Sequence, residues 1–179
     1  MSFLVISSSL NPGSNSRLLA REAHRVLSEK HKAEWLDLQE IELPHCDGDA
    51  AYSHPNVSLV AKKISEASCI LLAVPIYNFA SGSAAKNLIE LTGRAWTDKT
   101  VGFLCAAGGK SSYMSIMGLA NSLMLDFRTL IIPRFVYADG SAFSEEAVSD
   151  PAIQKRIEEL VSAAIRLNGV ALAQTTSTK

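Results

Sequence analysis

The chain predicts an α/β fold in which a parallel sheet is covered by helices on both faces. Two observations carry this. Short apolar runs of strand length, at Phe3–Ile6, Cys69–Val74 and Thr100–Cys105, recur between amphipathic helical patterns, and that alternation calls for crossover connections between parallel strands. The run at 69–74 is continuous rather than alternating, as a strand buried on both faces should be. Composition agrees: of 179 residues, 47% are hydrophobic and 20% charged, enough apolar surface for one substantial core.

Taken in order, Phe3–Ile6 is a first strand, followed by hydroxyls, amides and one glycine over Ser7–Ser16. A helix from Arg17 to about Glu29 carries Leu18, Leu19, Ala23, Val26 and Leu27 on one face. Ala33–Leu38 is a second strand, and Gln39–His54, with Pro44 and Gly48, is a surface loop. Pro55 opens a helix with an apolar stripe of Val57, Val60, Ala61, Ile64 and Ala67. The third strand, Cys69–Val74, halts at Pro75; a loop over Pro75–Ser83 leads into a helix at Ala84–Leu91. Thr100–Cys105 is a fourth strand ending in Ala106–Gly109. Met114, Met117, Ala120, Leu123 and Met124 then recur at helical spacing and are expected to pack in the core. Leu130–Ile132 and Phe135–Tyr137 form a fifth strand interrupted by Pro133. Asp150 caps and Pro151 starts a last helix that places Ile153, Ile157, Leu160, Val161 and Ile165 on one face and ends near Gly169. The expectation is a single domain over 1–179, with an ordered core over about 3–168 and a tail over 170–179.

Charge and cysteine usage exclude several classes. A net charge of −1 gives no field for nucleic acid or anionic lipid. Met1 and Ser2 lead straight into a strand with no basic leader, and no apolar run approaches the roughly 20 residues that span a bilayer. The expected setting is soluble and cytoplasmic. Cys46, Cys69 and Cys105 show no CxxC spacing; the latter two sit in apolar runs as small hydrophobes. His45, Cys46, Asp47, Asp49 and His54 share one loop, but their spacing matches no zinc pattern, and no metal is assigned.

In a doubly wound sheet the ligand lies outside the carboxyl ends of the strands, where strand order switches. The connections that matter are then Ser8–Ser16, Pro75–Ser83 and Ala106–Ser112, the most glycine- and serine-rich ones before the last strand. The first is a recipe for an anion site, because the leading N–H groups of a helix lack intrahelical partners and the dipole points its positive end at them. No GxxxxGK[ST] and no GxGxxG occur, which argues against a nucleoside triphosphate or a dinucleotide there. A mononucleotide remains: one phosphate in the first loop and a flat ring against the other two, where Tyr77 and Phe79 could flank it and Gly108 and Gly109 allow close approach.

These residues resemble the NADPH-dependent FMN reductase family of flavodoxin-like proteins, which includes quinone and azo-dye reductases. The likeness covers Phe3 to about Ile165. The family's first loop, roughly GS-x-R-x-x-SN[ST], lines up with Ser8–Ser16 without a gap. Its PEYN and following Lys-Asn align with Pro75, Ile76, Tyr77, Asn78, Lys86 and Asn87, and its alanine-glycine-glycine turn with Ala107–Gly109. The acidic loop from Asp37 to Asp49, with Leu43 and Pro44, is also similar.

The resemblance implies a flavodoxin-like three-layer sandwich with a five-stranded parallel sheet in the order 2-1-3-4-5. It implies FMN as cofactor, NADPH or NADH as co-substrate, and hydride transfer through the flavin to a quinone-like, azo or free-flavin acceptor. Ser9, Asn11, Ser14, Asn15 and Ser16 would hold phosphate and ribityl; Pro75, Ile76, Tyr77, Asn78, Gly108 and Gly109 would contact the ring. The chemistry belongs to the cofactor, so no catalytic side chain is nominated. A homodimer or homotetramer is implied, with Leu88, Ile89, Leu91 and Trp96 available for the contact; the partners are otherwise a small-molecule acceptor, with no nucleic acid and no membrane. The chain departs from the pattern where the first-loop arginine is Asn11, the glutamate Ile76, the Pro-Gly Gly82 and Ser83, and the glycine pair after the third turn Ser111 and Ser112. Either Arg17 supplies the missing charge or FMN is held more weakly. A flavodoxin-like electron carrier, and a flavin-free member serving in binding or regulation, are the alternatives.

Overall fold

A computed structural model describes residues 2–176. Five strands form the parallel frame. β1 (Phe3–Ser7) lies between β2 (Ala33–Asp37) and β3 (Cys69–Tyr77), and β5 (Thr100–Ala107) follows β3. Beyond β5 lie β6 (Leu130–Ile131) and β7 (Val136–Ala138), both parallel to it. β4 (Ala80–Ser81) folds back antiparallel on β3. The order is β2-β1-β3-β5-β6, the expected doubly wound order, but the sheet has seven strands rather than five.

The two extra strands have separate causes. The fifth strand splits because Pro133 has no N–H to give to the ladder and Arg134 takes a left-handed φ of 60°. The return strand arises because β3 does not stop at Pro75. It continues to Tyr77, with Pro75 paired to Ala106. Proline is tolerated there because β1 has already ended: its last rung is Ser7 opposite Ala73. The carbonyl of Pro75 accepts from Gly82 N–H at 2.8 Å, so the peptide chain turns back where a neighbour is missing.

Alternation along β1 sends Phe3 and Val5 to one face and Leu4 and Ile6 to the other. The first face packs on α1 (Asn15–Ser28) and α5 (Pro151–Thr176), through Leu19, Ala23, Leu27, Ile157 and Leu160. The second packs on α2 (Pro55–Glu66), α3 (Ser83–Thr92) and α4 (Met117–Phe127), through Val60, Ile64, Leu88, Leu119 and Leu123. α5 approaches β5 closely: a Cβ on Gly102 would lie 2.9 Å from Leu71 and 3.1 Å from Leu160. Asp150 accepts from Ala152 N–H at 2.7 Å and caps α5 as expected. That helix continues past Gly169 to Thr176, over most of the expected tail; residues 177–179 lie outside the described residues.

Two packing expectations fail. Leu88, Ile89, Leu91 and Trp96 are all buried in the chain's own core, so α3 has no apolar residues left for a partner. Trp96 also donates to Thr92 Oγ1 at 2.8 Å. Conversely, Met114 is 64% exposed, and Met117 and Met124 also face outward. Only Ala120 and Leu123 of that set are buried. The periodicity was real, but it marks a second apolar stripe on α4, away from the sheet. Among the described residues no helix is long and apolar enough to cross a membrane.

Candidate cofactor site

Because β1, β3 and β5 are neighbours, their carboxyl ends bring the three loops to one sheet edge. The first loop is built around Arg17, which is 3% exposed. Its Nε donates to Asp37 at 2.6 Å and one terminal nitrogen to the same carboxylate at 3.2 Å. The remaining donors go to the carbonyls of Asn11, Pro12 and Ser9, at 2.6, 2.9 and 3.0 Å. All five guanidinium N–H groups are used. Arg17 therefore braces the loop from beneath, its charge is neutralised by Asp37, and it does not supply the charge missing at Asn11.

The loop's side chains also serve its shape. Ser8 Oγ donates to Ala73 carbonyl at 2.7 Å, Ser9 Oγ accepts from Asn11 N–H at 3.3 Å, and Asn11 Oδ1 accepts from Gly13 N–H at 3.0 Å. Ser14 and Ser16 hydroxyls bond to each other at 2.8 Å in a buried setting. What remains open is main chain: Ser14, Asn15 and Ser16 N–H, at the start of α1, have no acceptor among the described residues. Gly13, Ser14 and Asn15 face a recess of about 380 Å³, whose walls include Arg21, Glu145 and Glu146.

In the second loop, Ile76 pairs with Ser81 and Ala107 and turns its side chain into the core; Pro75 is buried beside it. Tyr77 pairs with Ala80. Asn78 and Phe79 form the turn, at φ 49° and 61°, and carry the first N–H groups free of the ladder. Tyr77 and Phe79 are 55% and 68% exposed. In the third loop, Gly108 and Gly109 lack positive φ, and a Cβ on either would meet nothing within 4 Å. Neither the backbone nor the packing of this chain requires glycine there, so these positions leave room outside the chain.

Three aromatic residues were not anticipated at this edge. Tyr137 Oη donates to the Gly109 carbonyl. Tyr113 stacks on Phe135 with centroids 4.7 Å apart and meets Tyr137 edge-on at 5.5 Å. Their only signal was one aromatic after the glycine pair and two in the fifth strand, a pattern common in any core.

A cavity of about 830 Å³ opens beside this edge, between residues 38–46 and α3, with Leu10 on its rim. Asn87 holds its wall, accepting from Cys46 N–H at 2.8 Å and donating to the Pro44 carbonyl at 2.9 Å. The polar residues of that loop are structural: Asp47 accepts from Asp49 and Ala51 N–H, which holds its carboxyl below the ordinary range, and His54 caps α2. Among the described residues no three His, Cys, Asp or Glu side chains gather as a metal site.

Comparison with known proteins gives a consistent picture. A family model described as NADPH-dependent FMN reductase matches residues 1–144. An NAD(P)H-dependent FAD/FMN reductase of Geobacillus thermodenitrificans (strain NG80-2) is 29% identical over 142 residues, 78% of this chain and 76% of that protein. An NAD(P)H:quinone oxidoreductase of Solanum tuberosum is 27% identical over 177 residues, 90% of this chain and 91% of its own. Among solved structures, a flavoenzyme NAD(P)H:(acceptor) oxidoreductase from Paracoccus denitrificans superposes with a TM-score of 0.78 at 20% identity, covering 95% of this chain and 98% of that one.

Proposed function

The chain belongs to the NADPH-dependent FMN reductase family, and we propose that the edge formed by its first, second and third loops holds FMN for the reduction of a small organic acceptor. The observation that carries this placement is the pairing of unfilled main-chain donors at the start of α1 with the open space at Gly108 and Gly109. Ser14, Asn15 and Ser16 N–H and the positive end of α1 would take the phosphate; among the described residues Arg21 makes no ion pair and is the free cation lining that recess. The Asn78 and Phe79 main chain and the glycine turn would meet the ring.

Bound FMN supplies the two-electron relay between reduced nicotinamide and acceptor. The chain's own work is to bind, orient and hold. Arg17 and Asp37 keep the phosphate loop in one shape, the β3–β4 turn presents main chain at the ring edge, and Tyr137 Oη holds the Gly109 carbonyl. No side chain here need carry a proton for the reaction. The 179 residues act as one unit in this reading, and a cytoplasmic setting suits an enzyme drawing on NAD(P)H with three free thiols.

Assembly into a homo-oligomer is part of the proposal, but through α4 rather than α3. Met117, Met124 and Leu125 line its outer side, Leu125 at 83% exposure, at the i, i+7 and i+8 spacing of one helical face. Light scattering should give a multiple of 19.3 kDa, and Leu125→Glu with Met117→Glu should lower it; a monomeric wild type overturns this part. For the cofactor, the purified protein should show flavin absorbance, or gain thermal stability on addition of FMN. Reduced nicotinamide should then bleach the flavin, and comparing NADPH with NADH decides the donor. No flavin and no stabilisation by FMN would refute the placement.

A further inference from the structure

Between β6 and β7 the chain passes through Arg134 at φ 60°. Glycine or asparagine enters that region at little cost, whereas an arginine side chain crowds its own carbonyl. The main chain there is tied down: the Arg134 carbonyl accepts from Arg156, whose guanidinium also binds the Glu159 carboxylate. The Arg134 side chain returns nothing to the fold, since it is exposed and forms no ion pair among the described residues. Backbone strain that positions an idle side chain points to function.

Arg134 borders a groove of about 620 Å³ between this link and α5. Lys155 and Arg166 line it too, both exposed and both without an ion pair among the described residues. They stand three helical turns apart, on one face of α5 and roughly 16 Å from each other. Because Arg156 holds the Arg134 carbonyl, Arg134 and Lys155 share one end of the groove and Arg166 marks the other. The floor between them is apolar: Leu160 is buried, and Ala163 and Leu167 are half-buried. The carboxylates of the groove are Glu159, already engaged by Arg156, and the exposed Glu158. On a chain of net charge −1 this lining is cationic. It is also remote from the cofactor edge. The rungs Val101–Ile131 and Leu104–Val136 put Arg134 level with the middle of β5, roughly 18 Å short of Gly108 along the strand.

A single phosphate cannot reach both ends of such a groove, and a bare polyanion would leave its apolar floor unused. We propose that the groove is a separate binding site for a nucleoside triphosphate, independent of the FMN reading above. The phosphates lie between Arg134 and Lys155, where a guanidinium offers paired donors to phosphate oxygens. The base covers Leu160, Ala163 and Leu167, with the Arg166 guanidinium stacked on its face. Binding makes and breaks no covalent bond.

The test is calorimetric titration of GTP into the purified protein, in magnesium-free buffer with FMN in excess, comparing wild type with Arg134→Gly, Lys155→Gln and Arg166→Gln. GTP should bind one to one. Arg134→Gly and Lys155→Gln should each raise its Kd by about tenfold or more, the worth of a charge-assisted hydrogen bond, and Arg166→Gln by about threefold. Inorganic triphosphate should bind the wild type about tenfold more weakly than GTP, because the floor stays uncovered. Arg134→Gly should also raise Tm by about 2–4 °C, as the strain is relieved, and the FMN Kd should be the same in all four proteins. No binding of GTP, a GTP Kd unchanged by the variants, or triphosphate binding as tightly as GTP would overturn the proposal. So would a lower Tm for Arg134→Gly, which would give that side chain a role in the fold. A hexaglutamate peptide binding as tightly as GTP would overturn it in favour of an acidic protein segment. A protein that takes up no FMN refutes the cofactor placement alone, since the GTP titration reads the same without it.

Discussion

Arg17 shows how a residue can be read correctly as important and wrongly as to its task. Five donors, one carboxylate and three carbonyls converge in a nearly sealed pocket. Removing the carboxylate while keeping its shape, as in Asp37→Asn, leaves a buried cation unpaired and should cost about 3–5 kcal/mol in urea unfolding. The same variant should weaken FMN binding, since the loop loses its brace; unchanged stability and affinity would show that the pair is incidental. Asn11 is the complementary case. Its backbone and side chain shape the loop but bring no charge. Asn11→Arg should tighten FMN by about fivefold at low salt, a charge-assisted hydrogen bond being worth about 1 kcal/mol more than a neutral one. That gain should shrink in high salt, which titration at two ionic strengths would read. A sequence alone offers Asn11 and Arg17 as neighbours of the same loop; only the fold tells which one lies beneath it.

At the scale of elements, the strands, their order, the start of α2 and the cap of α5 were legible, because apolar runs, Pro55 and Asp150 speak for themselves; the His54 cap of α2 was not. The hairpin was not, since its turn signal is an asparagine followed by phenylalanine instead of glycine. The direction of the methionine stripe was not legible either: helical periodicity reports that two faces differ, but α4 is apolar on both, burying Leu119 and Leu123 while exposing Met117 and Leu125. Close packing is the other thing a sequence hides. Gly102 looks like a weak point in a strand, yet it is the place where α5 sits down on the sheet. Gly102→Ala would press a methyl against Leu71, Leu160 and Ile132 and should destabilise by about 1–3 kcal/mol. Denaturant midpoints check this, and an unchanged midpoint would mean that α5 gives way without cost.

Over the whole molecule, titration sets the range in which the fold is strongest. Burial pushes the Cys69 thiol up to about 12 and raises that of Cys105 as well. An unfolded cysteine ionises near pH 8.5, so above that pH the unfolded chain releases protons that the folded chain keeps, and stability falls as pH rises. On the acid side, the Ser141 hydroxyl and N–H hold Asp139 low, and main-chain N–H groups hold Asp47 low. Their contribution is present above the unfolded carboxylate value of about 3.9 and is lost as pH drops through their lower folded values. Urea midpoints should therefore be level from about pH 5 to 8 and decline above about 8.5. Cys69→Val with Cys105→Val should flatten that alkaline decline, and an unaltered slope would assign it to other groups. The return strand β4 has a further consequence at this scale. Without it, the end of β3 past its last rung with β1 would present bare backbone to any extended chain it met. The proline, the Gly82 bond and the two-residue return close that edge from within, so β3, the longest strand among the described residues, offers no template for growth into fibres, even though it ends at the rim proposed above to receive cofactor and substrate.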